Sequence, residues 1–313
     1  MTGGTFDRII VSVSNFEQSL AFYRDLAGMR VRADESLSRE EIVGLYGLSS
    51  KTSARAVCLS NDLQETRIEL VLFQPMTGEP IRKKVKDWDY GIYDICFFVE
   101  GVDAIYRRLI DKGFGSVHPP VEYNPLGNPV RETVIIGPDN VHLAHLERVA
   151  VPPKESPGRY LSIADSAQIV PDIGEALNFY CGIAGFDLIN RVTLPPGTLD
   201  DILGLPKKTR AELAFVGRQA SREPMVVLIA LSAPGKRLDE AAWAPNLGVC
   251  AISFEVPNLN AVVGAVRGAG YKVISGPVDF RRLAYGRMRA VMVSGPAGVM
   301  VEFFERWPAS PPK

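Results

Sequence analysis

The chain holds three histidines and four cysteines, the side chains best suited to ligate a metal or act as nucleophiles, and their spacing argues against both roles. His118 precedes two prolines in a loop. His142 and His145 stand three apart on one predicted strand, so they point to opposite faces and cannot chelate one ion together. Cys58, Cys96, Cys181 and Cys250 are isolated, with no Cys-x-x-Cys, and mostly lie in apolar patterns, as buried reduced thiols do. Nothing matches a phosphate-cradling glycine loop, a nucleophile elbow or a Cys–His pair. The densest chemistry lies in Phe280–Arg289, which carries Arg281, Arg282, Tyr285, Arg287 and Arg289. Guanidinium groups grip a carboxylate or phenolate bidentately, so this stretch points to small anionic molecules, aromatic ones included. The corresponding stretch of the first half, with Tyr123 and Arg131, is less charged.

Composition narrows the function classes. With 313 residues of which 46% are hydrophobic, the chain can bury full cores, so wholesale disorder is excluded. A formal net charge of −1 gives no basic field for nucleic acid. No apolar run approaches the roughly 18 residues that span a bilayer, and the first residues lack the basic-then-apolar pattern of a secretory signal. A cytoplasmic protein acting on a small molecule is expected, without nucleic-acid or membrane partners; a homodimer is compatible with the sequence.

The elements that must position any site come from a repeat. Arg8–Val31 reads as a strand, a helix over 15–27 and the start of a second strand. Asn15, Leu20, Phe22, Tyr23 and Gly28 recur 157 positions later as Asp172, Leu177, Phe179, Tyr180 and Gly185. Asn15 and Asp172 suit helix N-caps, and the glycines suit the left-handed residue that ends a helix. Along the first strand, Ile9, Val11 and Val13 alternate with Arg8, Ile10 and Ser12, which predicts two different faces. The pattern restarts with a strand at 91–99, a helix at 102–112 and strands near 131–137 and 141–147. Val151–Gly158 is a proline-rich linker, after which the same pair of units runs again. Gly91, Gly113 and Pro120 are matched by Gly248, Gly270 and Pro277. Self-similarity at a fixed offset indicates duplication. Four strand–helix–strand–strand–strand units result, two in 1–150 and two in 159–313.

Phe-Tyr on the opening helix, Ala-Gly after it, and Gly137-Pro-Asp or Gly295-Pro-Ala before the last strand resemble the vicinal oxygen chelate superfamily, which includes glyoxalase I, extradiol dioxygenases and bleomycin-resistance proteins. The resemblance implies an α+β fold of four βαβββ modules in two tandem domains. Each domain would be a cup-shaped, mostly antiparallel sheet with helices outside. In such families a metal sits inside a cup on His, Gln or Glu side chains. The positions that match the family's ligands hold Arg8, Glu69, Asp94 and Ala144 in half one, and Asp165, Val227, Ala251 and Glu302 in half two. No histidine occupies any of them.

From these positions the resemblance implies a degenerate first cup, in which the Arg8 guanidinium substitutes for the cation beside Glu69 and Asp94. In the second cup Asp165 and Glu302 would form an acid–base pair, since two desolvated carboxyls repel and one keeps its proton. Ala167 and Ser253 would leave room for a ligand, and Arg281–Arg289 would anchor an anion at the mouth. Glu40–Leu48 and Leu199–Leu205 are lids or packing segments. The function expected is metal-independent proton transfer (isomerase, lyase or lactone chemistry) on a small oxygenated compound, with no cofactor. One alternative is a dioxygenase- or glyoxalase-type enzyme with a divalent metal at Asp165 and Glu302. Another is a binding protein that sequesters a small molecule.

Overall fold

A computed structural model describes residues 4–307 apart from 77, 126, 128, 150–156, 220 and 222. The linker at 151–158 therefore lies largely outside the described residues. The first module comprises β1 (Thr5–Ser12), α1 (Phe16–Leu20), β2 (Arg30–Ser36), β3 (Ser53–Ser60) and β4 (Arg67–Gln74). The second has β5 (Gly91–Ile92), β6 (Ile95–Glu100), α2 (Val102–Asp111), β7 (Gly115–Tyr123), β8 (Val130–Ile136) and β9 (His142–Arg148). The third has β10 (Arg159–Val170), α3 (Ile173–Leu177), β11 (Asp187–Leu194), β12 (Ala211–Gly217) and β13 (Met225–Leu231). The fourth has β14 (Gly248–Glu255), α4 (Leu259–Gly268), β15 (Lys272–Arg282), β16 (Gly286–Ser294) and β17 (Met300–Arg306). This is the α+β architecture of four repeated units, with mixed, mostly antiparallel sheets.

The caps act as the sequence predicts. The Asn15 side chain accepts from the Gln18 N–H at 3.2 Å, and Asp172 from Glu175 at 2.7 Å. Each opening helix runs one α-turn and then widens to π geometry, over Ala21–Leu26 and Asn178–Ile183. The widened turn buries Phe22, Tyr23, Phe179 and Tyr180. Gly28 and Gly185 close it at φ +72° and +76°, a region that costs a residue with a Cβ.

Pairing departs from the expectation that each half closes its own cup. One sheet runs β15-β16-β17-β14-β1-β4-β3-β2, joining the first module to the fourth; the other runs β11-β12-β13-β10-β6-β9-β8-β7, joining the third to the second. The seams are antiparallel, β1 on β14 and β10 on β6, while β1·β4, β6·β9, β10·β13 and β14·β17 are parallel. We call these sheets the terminal cup and the central cup. One apolar cluster (Ile9, Val11, Phe22, Phe97, Phe179 and Phe254 among its members) draws on both sheets and their helices. Two smaller clusters fill the cups. The predicted alternation on β1 holds, because Ile9 and Val11 belong to the shared cluster and Ile10 to the terminal cup.

Candidate active site

The terminal cup is built around Arg8. Its side chain is 1% exposed, with Nε 2.8 Å from Glu69 and Nη1 2.9 Å from Asp7, and Nη2 pairs with Glu302. The guanidinium carbon lies 4.9 Å from the Tyr285 ring centre and 5.0 Å from that of Phe304. Burying a guanidinium costs several kcal/mol unless its charge is met, and here Asp7, Glu69 and Glu302 meet it, with Nη1 and Nη2 hydrogen-bonded to Asp7 and Glu302. Arg282 enters from β15 and pairs with Glu69 and Glu41. Ser253 donates to Glu302 at 2.7 Å, and Tyr285 to Asp7 at 2.8 Å. Burial alone would push Glu69 up, but Arg282 and Arg8 together hold it below the usual carboxylate range. Burial raises Glu302 despite Arg8 and Ser253.

The segment Glu40–Leu45 closes this cup. Ile42, Leu45 and Tyr46 are core residues of it, and Ser275 on β15 donates to the Leu45 carbonyl. Leu199–Leu205 does the same for the central cup, burying Leu199, Ile202, Leu203 and Leu205. Both segments are packed in place. An open cleft of about 550 Å³ lies beside the terminal cup between Arg32, the 60–67 loop and Ala284.

The central cup holds Asp94, Asp165 and Glu132. Asp94 interrupts the edge between β5 and β6, where its carboxylate accepts from the Ala167 N–H at 3.0 Å while Ser166 Oγ donates to its carbonyl at 2.9 Å. Asp165 stands opposite Cys96 across the seam. Glu132 projects from β8 and accepts from the Tyr123 hydroxyl. None of the three carboxyls makes a salt bridge among the described residues, whereas Arg8 and Arg282 bind those of the terminal cup. The nearby Arg82 directs its N–H groups to the carbonyls of Ile92, Asp87 and Asp89. Burial, with Glu132 adding repulsion, lifts Asp94 to about 7. Burial likewise lifts Glu132 to about 7 against the Tyr123 hydrogen bond. Burial and the charges of Asp94 and Glu132 raise Asp165 well above the carboxylate range.

These placements correct several expectations. Asp165 and Glu302 lie in different sheets, so they are not a pair and share no ion; the cause is the crossed pairing of modules. Asp94 for the same reason is not beside Arg8, whose second glutamate is Glu302; the expected Arg8–Glu69 pairing is present. The arginine stretch belongs to the terminal cup's sheet and anchors nothing beside Asp165. Within it, strand alternation buries Arg282 while Arg281 and Arg287 are exposed. Arg287 lies over Trp307 at 5.2 Å, and Arg289 stands 3.7 Å from Asp279. Ser253 is buried and donates to Glu302. Arg131 is bound to Asp103.

Glu132, Asp7 and Glu41 were not singled out by their sequence. Glu132 had a usable signal, since it stands between Val130 and Val134 on the same face of an alternating strand. The donor sets do not suit the family's metal. A guanidinium already stands between Glu69 and Glu302, and the positions flanking Asp165 hold Ala144 and Val227. Among the described residues no group of three or more His, Cys, Asp or Glu is placed to hold an ion. Burial lowers His142 and His145 to about 3, which keeps both neutral.

The profile of the Glyoxalase/Bleomycin resistance protein/Dioxygenase superfamily matches residues 5–127 and 162–303. Among solved structures, glyoxalase I from Zea mays is 13% identical, with a TM-score of 0.64 over 96% of this chain and 92% of that one. A mutant of it reaches 0.68 at 12% identity, over the same shares of the two chains. A provisionally assigned dioxygenase from Bacillus subtilis gives 0.59 at 12% identity, over 98% of this chain and 87% of that one. At such identities the likeness is one of fold. No curated protein matches the chain by sequence.

Proposed function

Because the chain belongs to the glyoxalase/bleomycin resistance protein/dioxygenase superfamily, we propose that it is an enzyme of proton transfer, and that its working site is the central cup. The observation that carries this reading is the contrast between the cups. In the terminal cup arginines bind the buried glutamates Glu41, Glu69 and Glu302. In the central cup Asp94, Asp165 and Glu132 are buried without such partners, and Asp94 and Glu132 are poised at about 7. Near neutral pH such a set contains both an ionised carboxyl, able to take a proton from a small oxygenated compound, and a protonated one, able to return it. Tyr123, bonded to Glu132, is a further donor. An isomerisation needs no more than this exchange.

No helix among the described residues is long and apolar enough to cross a membrane. Four free thiols suit the reducing cytoplasm, where we place the protein.

The test is deuterium exchange. The protein is incubated in D2O with a panel of small hydroxy and keto compounds, and proton NMR reports incorporation at carbon. Asp165→Asn should slow the exchange by about 10²-fold or more, while Ser253→Ala in the terminal cup leaves it unchanged. Wild-type rates in Asp165→Asn, or the larger loss in Ser253→Ala, would put the chemistry elsewhere. Binding of a panel compound without any exchange would favour sequestration.

A further inference from the structure

The two cups are copies of one scaffold, so each position in one has a register-matched counterpart in the other. Across the terminal cup Arg8 faces Ser253, which lies beside Glu302, and Glu69 lies beside Ile10. In the central cup the same places are held by Asp165, Cys96 and Ala144, with Val227 beside Ala167. The charge at the centre is inverted, and both flanking glutamates have become small apolar residues. Where the terminal cup holds two glutamates around a guanidinium, the central cup holds carboxyls with no guanidinium between them among the described residues.

Asp165 and Glu132 retain 9% and 8% exposure, against 1% for Arg8, Glu69 and Glu302. A second feature points to a missing partner. The Tyr93 hydroxyl, on a residue 3% exposed, has no hydrogen-bond partner among the described residues and lies within electrostatic reach of Asp94 and Glu132. A buried hydroxyl without a partner costs about 1–3 kcal/mol, and a ligand donor or acceptor would relieve it.

We infer that the central cup takes a small organic cation, with a guanidinium or ammonium head seated among Asp165, Asp94 and Glu132 as Arg8 is seated between Glu69 and Glu302. This rests on the central cup being the working site and names the class of its substrate. Three acceptors in an apolar surround match the several donors of such a head, and the ligand supplies the direct pairing that Arg82, whose N–H groups go to backbone carbonyls, does not give these carboxyls among the described residues. An anionic substrate would add repulsion to carboxyls already crowded together.

Calorimetric titration of the intact protein with benzamidinium, benzamide and benzoate tests this on one ring carrying three charges. Benzamidinium should bind about tenfold or more tighter than the other two. Asp165→Asn should weaken it by about tenfold or more. Glu132→Gln, which keeps the shape of the side chain and removes its charge, should do the same, and so guards against a folding defect in the first variant. Benzoate or benzamide binding as tightly as benzamidinium would overturn the inference. So would unchanged affinity in both variants, or no binding of either benzamidinium or methylguanidinium to the wild type. Deuterium exchange that depends on Asp165 in a protein that binds neither cation would overturn this inference alone. Cation binding that depends on Asp165, in a protein whose exchange does not, would overturn the proton-transfer reading alone.

Discussion

Arg8 is a buried cation held by two glutamates and two aromatic rings, and its removal would strand both acids. Arg8→Met should therefore destabilise the fold by about 3–5 kcal/mol, measured by urea unfolding at neutral pH. A loss below about 1 kcal/mol, the range of an exposed pair, would mean that the network is not the anchor of the terminal cup. Part of this was legible in the sequence, where the resemblance put Arg8 in the place of the family's cation, with acids beside it. Glu69 was one of them. The other, Glu302, was assigned to the wrong neighbour because residue patterns do not show which strands pair across a seam. Glu132 was not singled out, although it interrupts an apolar face between Val130 and Val134.

The helix caps and strand alternation could be read directly, because they depend on residues within one or two turns of each other. The π-widened turns could not, since Phe-Tyr at helical spacing fits either geometry. The strand β7 was hidden by Pro119 and Pro120 and is an edge of its sheet, the place where a strand tolerates proline. The caps over the cups were ambiguous between lid and packing, and contact decides for packing. A Cβ on Gly44 would come within 2.6 Å of Val278 Cγ1 on β15. Gly44→Ala should thus cost about 1–3 kcal/mol by overpacking and lower the melting temperature. Gly182→Ala in the opposite half, where nothing lies within 4 Å, should be neutral or stabilising by up to about 1 kcal/mol. Equal effects from the two would show that the cap is loosely seated.

At the scale of the molecule, duplication was plain from the constant offset, but the crossed pairing of modules was not, because a repeat fixes what the units are and not which units meet. Each sheet needs strands from both halves, so 1–149 and 157–313 made separately should stay unfolded or self-associate through exposed strand edges. Produced together they should assemble into one folded complex, visible as dispersed amide signals in NMR. A folded, monomeric first half would refute the crossed topology. The two cups also divide the labour electrostatically, one neutralising its acids internally and the other leaving them near their midpoints. Carboxyls raised in the folded state bind more protons than in the unfolded chain, so Asp94 and Glu132 make unfolding free energy fall as pH rises from about 4 towards 7. The most direct test of the account is a carbon-13 NMR titration of the Asp and Glu carboxyls. It should show Asp94 and Glu132 titrating at about 7, each signal assigned by its loss in Asp94→Asn or Glu132→Gln. Ordinary carboxylate midpoints near 4 for both would contradict the claim that the central cup is a proton-exchanging site.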